Sequence, residues 1–138
     1  MKKLLSILLA LMLLFSLTTT AYATDDDDRV PDVSMTDLAY FIAVVSSLDI
    51  QSGIAYCSGQ ALCTSSVDRI DISMYLQKYD GGWTTLKYWA NRTNSDTASL
   101  DGQWAVVSGY SYRLRCYFYA YIDDVCVEIV SATSYDSY

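Results

Sequence analysis

The feature that most constrains this chain is a strict period-two alternation over residues 110–122. Tyr112, Leu114, Cys116, Phe118, Ala120 and Ile122 fall on one face, and Ser111, Arg113, Arg115, Tyr117, Tyr119 and Tyr121 on the other. Such a pattern fits a half-buried strand, whose successive side chains point to opposite faces, and is incompatible with a helical stripe. Asp123-Asp124 interrupts it, and apolar residues resume at Val125, Val127 and Ile129. A two-residue turn there pairs Ile122 with Val125 and keeps both apolar sets on one side.

Residues 67–77 repeat the signal. Ile70, Ile72, Met74 and Leu76 point one way, and Arg69, Asp71, Ser73, Tyr75 and Gln77 the other. Asp80-Gly81-Gly82 marks a turn, after which residues 83–90 return antiparallel. Their inward face is either Thr84, Leu86 and Tyr88 or Trp83, Thr85 and Trp89. Ala98, Leu100, Trp104 and Val106 suggest a further strand, broken near Asp101-Gly102. After Gly53, Ala55, Cys57, Gly59 and Ala61 alternate, and their small size suits a strand lying close under another sheet.

Residues 34–50 support two readings. Ser34 with Asp37 resembles a capping box, with Leu38, Phe41, Ile42 and Val45 on one helical face. Leu38, Tyr40, Ile42, Val44, Leu48 and Ile50 also alternate, and the strand reading is preferred because everything downstream is strand. About seven strands with turns between them, thirteen tyrosines and a single proline point to an all-β, two-sheet, immunoglobulin/fibronectin-like β-sandwich of antiparallel strands over residues 38–138.

The residues before that domain carry an address. Lys2-Lys3, an apolar run over 4–17 and Ala21-Tyr22-Ala23 read as a cleaved export signal spanning 1–23. The run is short of the roughly 20 residues a spanning helix needs. Asp25 to Asp28 open a solvated acidic leader over 24–37, since four adjacent carboxylates repel and cannot pack. The expected mature protein is secreted and extracellular, with 115 residues, seven basic and sixteen acidic side chains, and a net charge of −9. That balance argues against nucleic acid and anionic membrane surfaces as partners. The chain has no histidine, which excludes His-based triads, HExxH zinc sites and an imidazole base.

Cys57, Cys63, Cys116 and Cys126 form an even set in an exported domain, which favours disulfides over redox chemistry because no C-x-x-C is present. Cys57 and Cys116 both lie on apparent inward faces, so the preferred pairing is 57–116 with 63–126; a local 57–63 bridge is its main rival. No metal or cofactor motif is evident. Asp123-Asp124 offers too few ligands for calcium, and Asn91-Arg92-Thr93 matches a glycosylation sequon.

Two functional classes compete. Asp68 with Asp71, or Asp123 with Asp124 and Glu128, could serve a carboxylate-dependent hydrolase, but as solvent-facing or turn residues they meet no site criterion. Binding is favoured. Tyr117, Tyr119 and Tyr121 form a ridge with Arg113 and Arg115 at its base, and Tyr75 joins it if the two strands are neighbours. Tyrosines give rigid amphipathic contact area for an extracellular protein or a cell-surface glycan. Self-assembly through sheet edges, as a structural component of the cell surface, is the alternative.

The stretch 48–59, Leu76-Gln77-Lys78, Gly82-Trp83 with Trp89, Gly109 to Arg113, and Glu128 resemble a DUF6147-type family. Its members are small secreted proteins of unknown function, found mainly in Gram-positive Firmicutes. The resemblance runs from Leu48 to Tyr138 and implies a fold, with no catalytic residues to carry over. Val107 to Leu114 is also similar to the start of a fibronectin type III strand where a tyrosine closes a corner, which implies a structural role for Tyr112.

Overall fold

The computed structural model describes residues 38–138. The export signal and acidic leader read over 1–37 lie outside the described residues. The domain comprises seven strands: β1 (Phe41–Gln51), β2 (Ile54–Cys63), β3 (Arg69–Tyr79), β4 (Trp83–Thr93), β5 (Thr97–Ala105), β6 (Ser111–Ile122) and β7 (Val125–Ser137). They form two antiparallel sheets, one ordered β1-β2-β5 and the other β4-β3-β6-β7. The result is the all-β, two-sheet sandwich expected from the alternation, and no helix occurs among the described residues.

Packing between the sheets is asymmetric, and the sequence says why. The four-stranded sheet supplies the bulk: Ile70, Ile72, Met74, Leu76, Tyr112, Leu114 and Phe118 are each no more than 1% exposed. The facing strand β2 presents Ala55, Cys57, Gly59 and Ala61, all buried. A Cβ added at Gly59 would stand 3.3 Å from both Cys116 Sγ and Met74 Sδ. Glycine lets the two sheets approach closely there, since a side chain would press the two sulfurs aside by a few tenths of an ångström. Gly102 plays the same part on β5. It does not break the strand; its missing side chain makes room for the Trp89 indole, with which a Cβ would collide.

Two tight hairpin turns fix the register of their strands. Ser52 and Gly53 both take positive φ between β1 and β2, as do Asp123 and Asp124 between β6 and β7, the conformation a two-residue turn demands. Ile122 is therefore opposite Val125, as expected. The expected parity of β7 fails two residues later. A bulge at Val127 sets Ala120 opposite Glu128 and Tyr121 opposite Cys126. Glu128 and Val130 thus turn toward the β1 side, while Ile129 joins Tyr119 on the outer face and is 40% exposed. A bulge adds one unpaired residue and reverses the alternation beyond it.

Two further bulges have the same effect. In β1 the extra residue is Ile42, so Phe41 is buried and Ile42 is exposed, the reverse of the alternating set read from sequence. In β4 it is Leu86. Neither inward face proposed for β4 is therefore whole: Trp83, Thr85 and Tyr88 pair with outward residues of β3, whereas Lys87 and Trp89 pair with the inward Leu76 and Met74.

Tyr112 closes a corner, as the fibronectin-like resemblance implied. Its ring is fully buried, and its hydroxyl donates to the Val107 carbonyl at 2.5 Å and accepts from the Val107 amide at 3.2 Å. At the opposite end, both Glu128 oxygens receive the start of β1. Ala39 N–H donates to Oε1 at 2.8 Å, and Tyr40 and Phe41 N–H donate to Oε2 at 2.9 and 2.8 Å. Ile50 N–H donates to Asp136 Oδ2 at 2.7 Å, and the Ser46 and Ser134 hydroxyls meet at 2.9 Å. Side chains of β7 thereby satisfy the edge of β1 without strand pairing.

Candidate functional site

The outer face of the four-stranded sheet collects the aromatic and guanidinium groups singled out in the sequence. Because β3 and β6 are neighbours, Tyr75 lies opposite Arg115, Ser73 opposite Tyr117, Asp71 opposite Tyr119 and Arg69 opposite Tyr121. Tyr75 stands between two rings, with centroids 4.8 Å from Tyr88 and 5.8 Å from Tyr117. Tyr119 is half-buried, and burial followed by neighbouring tyrosines raises its phenol above the ordinary range.

The expected ridge is not uniformly open. Tyr117 is only 4% exposed and Arg115 only 6%, although both point away from the core. They occupy an inner strand of the sheet, between β3 and β7, and the Tyr75 ring packs edge-on against Tyr117. Arg115 itself lies 5.3 Å from the Tyr117 ring centroid. Tyr121 is stacked under Arg69, whose guanidinium carbon is 3.8 Å from the ring centroid. Arg69 pairs with Asp124 and stands 3.4 Å from Asp71, which also holds Arg92 at 3.1 Å. Tyr121 therefore sits against a salt-linked lattice.

The open aromatic surface lies at the other end of the same face. Tyr79 and Trp83 flank the β3–β4 turn with centroids 5.1 Å apart, and Tyr135 of β7 approaches Trp83 to 6.2 Å. With Ser111, Asp136 and Ser137 they line an open cleft of about 580 Å³. Tyr79 is 47% and Tyr135 65% exposed. Arg113 borders this cleft. Its guanidinium carbon lies 4.4 Å from the Trp83 centroid, and its Nε donates to Gln77 Oε1 at 2.6 Å. Gln77 is 1% exposed and in turn donates from Nε2 to Thr85 at 3.1 Å.

Of the residues expected in the site, the structure brings Arg113 to this cleft and leaves Arg115, Tyr117, Tyr119 and Tyr121 along the neighbouring face. Sequence reading missed Tyr79, Trp83 and Tyr135 as a group. Tyr135 is distant in the chain from the other two, and the bulges in β4 and β7 hide the parity that aligns them.

Four of the five carboxylates considered for hydrolysis hold structural contacts. Asp68 accepts the Asp123 amide at 2.8 Å, Asp71 and Asp124 hold arginines, and Glu128 anchors β1.

All four cysteines are free thiols. Cys57 and Cys63 lie on one extended strand, roughly 20 Å apart at 3.3 Å per residue, beyond reach of a local bridge. Cys63 is buried, whereas Cys126 is exposed beside Tyr121 on the outer face, so the structure does not bring those two together. Cys57 and Cys116 both face the interior from opposite sheets. Burial, with Cys116 nearby, pushes the Cys57 thiol up to about 12. Burial, then Glu128 and Asp96, takes Cys63 to about 12. Burial takes Cys116 to about 11, against a hydrogen bond to the Ser46 hydroxyl that lowers it. Such thiols are poor nucleophiles at neutral pH.

No group of three or more metal-ligating side chains occurs among the described residues. No family model, curated protein or solved structure matches this chain.

Proposed function

We propose that this protein is a secreted, non-catalytic binding module that receives an extracellular glycan on the outer face of its four-stranded sheet. The observation that carries the reading is the cleft formed by Tyr79, Trp83 and Tyr135, three rings at 5.1 and 6.2 Å held open to solvent at one end of that face. Flat apolar rings beside hydroxyl, carboxylate and guanidinium groups suit a sugar, which stacks its C–H face and hydrogen-bonds at its rim. Export rests on the signal read over 1–23, and a DUF6147-type kinship belongs to the same proposal. Outside the cell, Cys57 and Cys116 are the pair an oxidant could join during folding. The two thiols would lose two hydrogens to a small-molecule disulfide, which leaves as two thiols.

The test is depletion of residues 24–138 from solution by purified cell walls and insoluble polysaccharides. Tyr135→Ala is the variant of choice, because its 65% exposure makes the side chain dispensable for folding. Saturable binding weakened at least tenfold in that variant supports the reading. Equal binding by both proteins, or none by either, rejects it. A Tyr117→Ala control reports on stability instead, since that ring is buried.

A further inference from the structure

The glycan reading leaves the chemistry of the sugar open, and Arg113 narrows it. A guanidinium presents five N–H donors in a fixed planar fork. Here one of them, at Nε, is spent on Gln77 Oε1 at 2.6 Å. The Trp83 ring covers a face of the plane at 4.4 Å. Gln77 is almost fully buried and tied to Thr85, so it cannot swing away. These contacts fix the orientation of the fork and leave the terminal nitrogens Nη1 and Nη2 without a hydrogen bond or ion pair among the described residues. The contrast with the same face is direct: Arg69 and Arg92 are both neutralised by Asp71 or Asp124.

We infer that the cleft takes an acidic glycan, and that a carboxylate on the sugar pairs with the Nη edge of Arg113 while the sugar ring stacks against Trp83 and Tyr135. This deepens the proposal above and rests on it. A carboxylate matches the planar fork, and bidentate pairing supplies direction as well as charge. Ordering the guanidinium before the ligand arrives lowers the entropic cost of using it. The net charge of −9 over residues 24–138 opposes an anion only at long range, and Asp136, the carboxylate that lines the cleft, is occupied by the Ile50 and Ser137 N–H groups. At physiological salt, charges more than roughly 8 Å away are largely screened, so the groups beside the cleft dominate.

The experiment compares polygalacturonate with its fully methyl-esterified form, two polymers with one backbone that differ in charge. Binding of residues 24–138 is measured by calorimetry at 20 and 150 mM salt. The expected result is at least tenfold tighter binding of the acidic polymer. Arg113→Gln should erase that preference, bringing affinity for the acidic polymer down to that for the ester, and Arg113→Lys should restore part of it. Equal affinity for the two polymers, with both lost in Trp83→Ala, overturns the acidic preference and leaves the glycan cleft standing. Binding to neither polymer overturns both. A preference that survives in Arg113→Gln overturns the role of Arg113. Circular dichroism and urea midpoints for each variant separate loss of binding from loss of fold.

Discussion

Replacing Glu128 by glutamine tests whether this carboxylate is an anchor of the fold. In the native protein its two oxygens accept three backbone N–H groups, from Ala39, Tyr40 and Phe41, at 2.8, 2.9 and 2.8 Å. Hydrogen bonds to a charged group contribute roughly 1.5–3 kcal/mol each, and neutral ones about 1 kcal/mol. The low end applies, because the Ala39 bond is exposed and the other two are part-buried. Glutamine keeps one oxygen, enough for the two amides that share Oε2, and sets an NH2 donor against the Ala39 N–H. The net loss is about 2–3 kcal/mol, or a fall in Tm of about 10–20 °C for a domain of this size. Amide exchange by NMR provides a second, local readout. Residues 39–41 should lose protection, while amides of the β3–β6 ladder change only as global stability does. A loss below about 0.5 kcal/mol, the range of an ordinary surface substitution, would refute the anchor, as would unchanged exchange at 39–41.

Gly102→Ala drives a methyl group into the Trp89 indole and should cost about 1–3 kcal/mol, as overpacking does; in a Trp89→Ala background the urea midpoint should hardly respond to it. Tyr112→Phe removes both bonds to Val107 and should lower stability by about 1–2 kcal/mol with an unchanged m-value. The buried thiols set an alkaline limit. Cys57 and Cys63 ionise near 12 and Cys116 near 11 in the folded chain, against 9.0 for an unperturbed thiol. Their contribution is complete below pH 9.0 and is lost as pH rises toward the folded values. In the reduced protein the urea midpoint should therefore fall as pH rises from 9 to 11, and fall less in Cys57→Ala/Cys116→Ala. For the reduced protein at pH 8, mass spectrometry after brief alkylation should find the label at Cys126, the exposed thiol, ahead of the other three.

The strands themselves were legible because burial writes a period of two into the sequence. In β3 and β6 the reading holds from Ile70 to Leu76 and from Tyr112 to Ala120, since inner strands of a sheet pair on both sides and tolerate few irregularities. The small residues of β2 also announced their purpose, because Gly59 has to pass beneath Cys116 and Met74. The errors fall on the edge strands. Ile42, Leu86 and Val127 are each the extra residue of a bulge, and each reverses the faces that follow or precede it. No local sequence rule marks a bulge made by an ordinary apolar residue. Those same bulges decide which aromatics meet. The sequence shows Arg113 on an outward face, but only the β4 bulge sets Trp83 on the outward face beside it, and only the β7 bulge brings Tyr135 opposite.

The cleft at Tyr79, Trp83 and Tyr135 is the centre of the functional account, and Trp83 gives it an optical as well as a binding handle. The most direct measurement is a binding isotherm of residues 24–138 on purified cell walls, set beside that of Tyr135→Ala at matched stability. The account predicts saturation for the native protein and at least a tenfold weaker isotherm for the variant, a loss of about 1.4 kcal/mol or more. Superimposable isotherms from two folded proteins would contradict it.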